Sequence, residues 1–304
     1  MFRKFYIIAL LVLPAVFSEA QKIIVATYNI RNDNRGDSVA GNGWAQRCPV
    51  VANLIRFHDF DIFGTQEAKY NQLEDMQALL TGYARIGIGR DDGKQAGEFS
   101  AIFYKTDRFK LLKNGDFWMS TITTEPNKGW DAALPRICSW GQFREIKSGR
   151  TFYFFNLHMD HVGVIARKEG AKLVLDTIRK MAGNLPTILT GDFNVDQKNE
   201  SYTLLNTSGF LKDSYELSPV RYALNGTFNS FNINAKTESR IDHIFLTKNF
   251  KVMRYGILTD SYRSKLSDST QQANSGNFQR EITPGRFQAR IPSDHFPVMA
   301  EVQL

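Results

Sequence analysis

The sequence predicts a single α/β domain, and three observations support this. Short apolar segments rich in β-branched residues alternate with segments whose apolar residues recur at helical spacing. Hydrophobic residues make up 42% of the 304 residues, which excludes a disordered chain and a collagen-like repeat. The chain has no internal repeat and no linker that would separate two cores, although its length alone would allow two domains.

The amino-terminal half begins with alternating strands and helices. A strand is predicted at 23–30 and another at 61–65, because both segments are apolar and rich in β-branched or aromatic residues. Between them, residues 51–58 carry apolar side chains at intervals of three and four, with Pro49 expected in the first turn of that helix. A second helix around 73–80 is expected to end near the glycine at 82.

The remaining elements continue the alternation. Residues 171–181 form a long amphipathic pattern, which ends at Gly183-Asn184. Further strands are predicted at 98–104, 109–117, 137–147, 151–159, 187–191, 241–246 and 295–303. The polar stretch 260–292 lacks apolar periodicity and is predicted to be a long surface loop.

The amino terminus has the pattern of a signal peptide. Met1–Lys4 is cationic, Phe5–Phe17 is apolar, and Ser18-Glu19-Ala20 offers small residues before a cut ahead of Gln21. We therefore expect residues 1–20 to be removed, leaving a 21–304 domain in the periplasm or outside the cell, without stable membrane insertion. An uncleaved anchor is the alternative, although the apolar run is short for a membrane span.

Charge and cysteine content constrain partners only weakly. Lys and Arg number 38 against 31 Asp and Glu, giving a net charge of +7 that favours an acidic partner such as phosphate or nucleic acid. Many basic proteins are simply soluble, so this alone selects no function. Cys48 and Cys138 either pair in an oxidising compartment or remain buried thiols, and they are too few for a cysteine-based zinc site.

Polar residues that suit metal or phosphate chemistry gather where predicted strands end or begin. These segments are Thr27-Tyr28-Asn29, Gln66-Glu67, Asn156-Leu157-His158 with Asp160-His161, Gly191-Asp192-Phe193-Asn194, Ile241-Asp242-His243 and Ser293-Asp294-His295. Each segment alone is commonly just a turn. Together they contain four of the five histidines, and strand ends are where α/β folds build their sites.

In this order, the segments resemble the endonuclease/exonuclease/phosphatase superfamily. The resemblance runs from Ile23 to Leu304, and its most specific parts are Gly191–Asn194 and the Ser293–Val298 segment. It implies a four-layer α/β sandwich of two packed mixed β-sheets flanked by helices. It also implies hydrolysis of a phosphate ester by in-line attack of water, with Mg²⁺ or Mn²⁺ as cofactor, because the matched ligands are carboxylates and amides rather than histidines.

The resemblance assigns roles to individual residues. Glu67 matches the principal metal ligand, and Asn29 and Asp294 match residues that complete or border the metal site. The matched catalytic residues are His158, Asp192, Asn194, Asp242 and His295, with Asp242 as the carboxylate partner of His295. His158, Asn194 and Arg136 match contacts to the substrate phosphate, and Glu98 matches a carboxylate partner of His158. Ordinary structural roles are the alternatives for His158, Arg136 and Glu98.

Two expectations follow from strand geometry. Asp294 and His295 are adjacent, so they can share a site only if the backbone turns there. Asp192 and Asn194 are two apart, so an extended stretch would place both on one face.

The leading functional hypothesis is a metal-dependent phosphodiesterase that acts like a nuclease. The alternative enzyme is a phosphatase or phosphodiesterase for a phosphosugar, an inositol phosphate or a lipid headgroup. A non-catalytic binding module is the third hypothesis. The partner is thus a phosphate ester, with nucleic acid as one candidate, and a monomer is favoured.

Overall fold

The computed structural model describes residues 22–265 and 287–304. The predicted signal peptide lies outside the described residues, as does the central part of the predicted loop 260–292. Within the described ranges, no helix is long and apolar enough to cross a membrane.

The described chain alternates strands and helices as predicted. The strands are β1 (Lys22–Asn29), β2 (Ile62–Gln66), β3 (Tyr83–Ile86), β4 (Ile102–Lys105), β5 (Phe109–Trp118), β6 (Ile137–Glu145), β7 (Thr151–His158), β8 (Thr187–Asp192), β9 (Lys212–Asp213), β10 (Arg221–Tyr222), β11 (Asp242–Leu246), β12 (Lys251–Ile257), β13 (Tyr262–Lys265), β14 (Phe287–Arg290) and β15 (Val298–Gln303). The helices are α1 (Arg35–Val39), α2 (Trp44–Phe57), α3 (Tyr70–Leu79), α4 (Val164–Ala182), α5 (Glu200–Asn206) and α6 (Ser214–Leu217).

Two mixed sheets form the centre of the fold. The first has the order β10-β12-β15-β1-β2-β4-β3, and the second has the order β5-β6-β7-β8-β11-β9. Within them β1 and β2 are parallel, as are β7 and β8, while β11 runs antiparallel to β8. The carboxyl ends of β1, β2, β7 and β8 therefore lie beside the amino end of β11.

Alternation along the strands produces the four layers. In β1, Val25 packs in the core shared by the two sheets, whereas Ala26 packs under α2 and α3. In β8, Ile188 faces the shared core and Leu189 packs under α4 and α5. Because side chains two apart share a face, Asn29 falls on the face of Val25, and Asp192 on that of Ile188. The polar ends of these inward-facing rows meet between the sheets.

A buried polar network ties the sheets together just below that meeting point. Gln66 Nε2 donates to Asn156 Oδ1 at 2.7 Å, and Asn156 Nδ2 donates to the backbone oxygens of Thr65 and Ala101 at 2.9 and 3.0 Å. The close approach requires Gly64, where an added Cβ would lie 2.1 Å from Asn156 Oδ1. Gln66 and Asn156 thus have structural roles beneath the site.

Several predicted boundaries were wrong. Helix α2 starts at Trp44, so Pro49 lies inside the helix rather than in its first turn. The strand predicted at 98–104 is regular only from Ile102, because Phe99 instead bridges Ala68 and Gly89. The predicted loop 260–292 includes the antiparallel pair β13–β14, in which the polar segments hydrogen-bond to each other rather than to a main sheet.

The two cysteines are free and buried. Cys48 lies on α2, in the core between that helix and the first sheet, and Cys138 lies on β6, in the core under α4, so the two are on opposite outer faces of the sandwich. This separation excludes the disulfide that the sequence left open.

Candidate active site

The predicted polar segments converge on one cavity of about 480 Å³ at the open end of the two sheets. The predicted site residues that line it are Glu67, Glu98, Arg136, His158, Asp192, Asn194, Asp294 and His295. Asn29 and Asp242 are fully buried behind this lining and contact it through hydrogen bonds. The structure therefore brings all ten predicted residues together.

His295 lies between two carboxylates. Its Nδ1 is 2.9 Å from Asp242 Oδ2, and its Nε2 is 3.8 Å from Asp192 Oδ2. The register of β8 and β11, which pairs Asp242 with Asp192, creates this arrangement. Burial alone would lower the pKa of His295, but the charges of Asp242 and Asp192 outweigh it and raise that pKa well above its usual range. The imidazole is therefore held as a cation.

Asp192 is itself perturbed. Burial, and then the negative charge of Asp242, raises the pKa of Asp192 to about 7. Asn29 Nδ2 donates to Asp192 Oδ2 at 3.0 Å. A carboxylate with this pKa can exchange a proton near neutral pH, as a general base requires.

Glu67 is held in a backbone conformation that is unusual for its type. Its φ is 63°, in the left-handed region, and Arg31, Asn194 and Ser230 of the cavity lining also have positive φ. Glu67 Oε1 accepts from Asn29 Nδ2 at 3.1 Å, and Oε2 accepts from Asn32 N at 3.2 Å. Such strain persists only where the surroundings enforce it, and it concentrates at functional sites.

A guanidinium lies between the two predicted carboxylate ligands. Arg31 Nη1 is 3.7 Å from Glu67 Oε2 and 3.6 Å from Asp294 Oδ2. The carboxylate oxygens of Glu67 and Asp294 thus attract a cation in this geometry. Hard oxygen donors of this kind are the ligands that Mg²⁺ and Mn²⁺ prefer. The donor set therefore fits a divalent metal.

Asn29 takes a different orientation from that of a direct ligand. Its Oδ1 accepts the backbone N–H of Arg31 at 3.0 Å, so its Nδ2 faces Glu67 and Asp192. In this geometry Asn29 positions the two carboxylates, and its role as a ligand stays a prediction.

A second group of residues has the composition of a metal site. Among the described residues, ligand-type atoms of Asp192, Asp242 and His295 lie within 4.8 Å of one another. The 2.9 Å contact between His295 Nδ1 and Asp242 Oδ2 is a hydrogen bond, which already occupies one ligand atom on each. We therefore favour Glu67 and Asp294 as the metal ligands.

His158 is a neutral hydrogen-bond donor. Burial, followed by the charges of Arg136 and Arg90, lowers its pKa well below the usual range. Its Nε2 is 3.1 Å from Asn194 Nδ2, an obligatory donor, so the ring proton resides on Nδ1. That Nδ1 is buried and has no hydrogen-bond partner in the described structure.

Glu98 pairs mainly with an arginine rather than with His158. Its Oε2 is 2.6 Å from Arg90 Nη1 but 3.9 Å from His158 Nδ1, and its Oε1 accepts from Asn32 Nδ2 at 3.1 Å. The sequence did not indicate Arg90, which competes for the carboxylate because a guanidinium carries a permanent charge and a neutral imidazole does not.

Arg136 is buried and lines the cavity. Its Nε donates to Asp160 Oδ2 at 3.1 Å and its Nη2 lies 3.0 Å from His161 Nδ1, while Nη1 is buried without a partner in the described structure. A buried guanidinium nitrogen that lacks an acceptor is suited to an anionic ligand.

Of the two expectations from strand geometry, one is confirmed. Asp294 and His295 precede β15 in irregular backbone, and both line the cavity. The prediction of an extended stretch at Asp192–Asn194 is wrong, because β8 ends at Asp192 and Asn194 has a φ of 50°. Asn194 reaches the same cavity through a turn, in which its N–H donates to Asp192 Oδ1 at 2.9 Å.

Sequence reasoning missed other lining residues. Arg31 and Asn32 follow Asn29 after the single apolar residue Ile30, and their polarity was an available signal. Arg90 and Phe228 lie in loops without a recognisable pattern. Phe228 packs edge-on against His295, with ring centroids 5.1 Å apart.

Comparisons with known proteins agree with this geometry. The model of the Endonuclease/Exonuclease/phosphatase family matches residues 26–295. A structure of a family protein from Bacteroides thetaiotaomicron is 53% identical, with a TM-score of 0.86 over 93% of this chain and 98% of that chain. A mannosyl-6-phosphatase from the same organism is also 53% identical, with a TM-score of 0.85 over 93% of this chain and 100% of that one.

More distant similarities extend the set. The human Nocturnin catalytic domain is 18% identical with a TM-score of 0.65 over 93% of each chain, a likeness of fold. An uncharacterised mimivirus protein is 29% identical over 181 residues, which span 54% of this chain and 64% of that protein. The family match covers nearly the whole described chain and both sheets, so this protein belongs to the endonuclease/exonuclease/phosphatase family.

Proposed function

We propose that the protein is a divalent-metal-dependent phosphatase that hydrolyses a sugar phosphomonoester. The observation that carries the phosphate assignment is a buried guanidinium nitrogen without a partner in the described structure, Arg136 Nη1. Arg136 lines the cavity. Leaving such a group without an acceptor is costly, and a phosphate oxygen would satisfy it.

The charges around the cavity favour a monoester over a diester. Arg31, Arg90, Arg136 and the cationic His295 line it opposite four carboxylates, Glu67, Glu98, Asp192 and Asp294, so the excess positive charge would come from the divalent metal. A phosphomonoester carries more negative charge than a diester near neutral pH, so it would gain more from that excess charge.

The volume of the cavity and the similarity to a sugar phosphatase favour a sugar as the leaving group. A volume of about 480 Å³ is within the range of small-ligand pockets and accommodates one hexose phosphate. The 53% identity to a mannosyl-6-phosphatase supports the same substrate class. The nuclease-like hypothesis has only fold-level support, from a DNA-bound neighbour that is 17% identical.

In the proposed reaction, Asp192 accepts the proton of the attacking water, for which a pKa of about 7 is well placed. The bond from phosphorus to the sugar oxygen breaks as the bond to the water oxygen forms, and the departing sugar oxygen takes a proton from solvent and leaves as a hydroxyl. The imidazolium of His295, held by Asp242, stabilises negative charge on the phosphoryl group. Arg136 donates to its oxygens and fixes its orientation. A metal held by Glu67 and Asp294 would neutralise phosphoryl charge and activate water.

A substrate panel tests the proposal. We expect the Mn²⁺- or Mg²⁺-supplemented protein to release inorganic phosphate from mannose 6-phosphate with a higher kcat/KM than it shows for bis-p-nitrophenyl phosphate or single-stranded DNA. Faster cleavage of either diester would instead support the nuclease-like alternative.

A further inference from the structure

One histidine of the cavity has no part in the proposed chemistry. His161 follows β7 and precedes α4, has an exposed side chain, and lines the cavity. It shares the cavity lining with Leu134, Phe228 and Ile241, which are the only apolar residues among the described lining residues.

The contact with Arg136 fixes the protonation of His161. Arg136 Nη2 is 3.0 Å from His161 Nδ1, and a guanidinium can only donate. The Nδ1 atom must therefore accept, so the ring is neutral and its proton is on Nε2. This leaves Nε2–H as a donor that has no recorded partner in the described structure.

Asp160 holds Arg136, and through it His161, in place. Its Oδ1 accepts the backbone N–H groups of Gly163 at 2.8 Å and Ala133 at 3.1 Å, and its Oδ2 accepts Arg136 Nε at 3.1 Å. Burial opposes ionisation of Asp160, but these donors outweigh it and hold its pKa well below the usual range. A permanently charged, multiply bonded carboxylate restricts Arg136, and Arg136 in turn restricts His161.

We propose that His161 is a specificity-determining residue that donates Nε2–H to a hydroxyl or ring oxygen of the sugar leaving group. This inference rests on the proposed function. Arg136 supplies Nη1 to the phosphate while its Nη2 orients His161, so one guanidinium links recognition of the phosphate to recognition of the sugar.

The surroundings of His161 suit a sugar better than a second phosphate. Leu134 and Phe228 are 38% and 42% exposed, so apolar surface is available at the cavity. A pyranose offers both an apolar C–H face and hydroxyl groups, and therefore needs an apolar wall together with a neutral donor. A neutral imidazole provides the hydrogen bond without adding charge.

The test compares two monoesters that share the phosphate and differ in the leaving group. For His161→Ala we expect kcat/KM to fall about tenfold with mannose 6-phosphate, the value of one lost hydrogen bond, and to change less than twofold with p-nitrophenyl phosphate. The inhibition constant of inorganic phosphate should stay unchanged. His161→Gln, which keeps an acceptor for Arg136 and a donor for the sugar, should recover part of the loss.

His58→Ala is the matched control, because His58 pairs with Asp260 and does not line the cavity. Equal losses on both monoesters, or weaker phosphate inhibition, would show that His161 acts only by holding Arg136, and would overturn the inference. No loss on either would overturn it too. If the wild-type protein cleaves diesters but releases no phosphate from mannose 6-phosphate, the proposed function itself has failed, and the inference fails with it.

Discussion

Replacing Asp242 by Asn tests the charge relationship at the centre of the site. Asp242 is fully buried, and its Oδ2 lies 2.9 Å from Nδ1 of the buried His295. The amide keeps the shape of the carboxylate but removes its charge. It can also present an N–H to Nδ1, which would displace the ring proton to Nε2. We therefore expect the imidazolium to be lost and turnover to fall.

The size of the effect follows from the distance. The charge centres of a carboxylate and an imidazolium in such contact are about 4 Å apart, which corresponds to about 4 kcal/mol at an effective dielectric of about 20. That energy equals a factor of about 10³ in rate. We expect the kcat of Asp242→Asn to fall by roughly 10²–10⁴.

The assay is kcat/KM for Asp242→Asn, for His295→Ala and for the double variant, with folding checked by thermal melting. Because the two residues act together, the double variant should be little slower than His295→Ala alone. Asp116→Asn is the matched control, since Asp116 is a half-buried carboxylate that accepts a hydrogen bond from Ser139 Oγ and lies outside the cavity lining. Losses that multiply in the double variant would refute the pairing.

Three further predictions address the metal, its neighbouring arginine and a remote buried ion pair. Chelation should abolish activity and Mn²⁺ should restore it, while Glu67→Gln should slow turnover by on the order of 10²–10³; full activity in excess chelator would contradict the metal assignment. Arg31→Gln should tighten Mn²⁺ binding by roughly threefold to tenfold in calorimetric titration, because the guanidinium repels the ion and is partly exposed; weaker binding would show that Arg31 instead supports the site. Asp213→Asn should lower the free energy of unfolding by about 3–5 kcal/mol in denaturant titration, because it leaves Arg240, whose Nη1 lies 2.7 Å from Asp213 Oδ2, buried without its charge partner; a loss below about 1 kcal/mol would contradict this.

The same buried pair predicts the acid sensitivity of the fold. Burial opposes ionisation of Asp213, but His243 and Arg240 outweigh it and hold the pKa of Asp213 well below its usual range. A carboxylate whose pKa is depressed on folding stabilises the protein above the pKa of the unfolded chain, about 3.9, and loses that contribution as pH falls through the folded pKa. The slope of stability against pH below about 4 should therefore be shallower in Asp213→Asn than in the wild type.

The sequence predicted the strands that build the site because their apolar alternation is local. Asn29, Asp192 and Asp242 each extend an inward-facing row of side chains, so their meeting follows once the two sheets pack face to face. The packing of the two sheets was predicted only from the resemblance to the family, because periodicity alone does not specify which strands are neighbours.

Contacts between loops were not predictable in this way. Arg31 contacts Glu67 and Asp294, which are far from it in the sequence. Glu98 pairs with Arg90 rather than with His158. The contacts of Arg31 depend on turns with positive φ at Arg31 and Glu67, which the residue types do not predict. A turn also replaced the extended geometry expected at Asn194.

The most direct test of the proposed chemistry is the position of solvent oxygen after hydrolysis of mannose 6-phosphate in ¹⁸O-labelled water. Attack of water at phosphorus predicts one labelled oxygen in the released phosphate and none at O6 of mannose, the oxygen that carried the phosphate, with release strongly slowed in His295→Ala. Label at O6, or no phosphate release by the metal-supplemented wild type, would contradict the account.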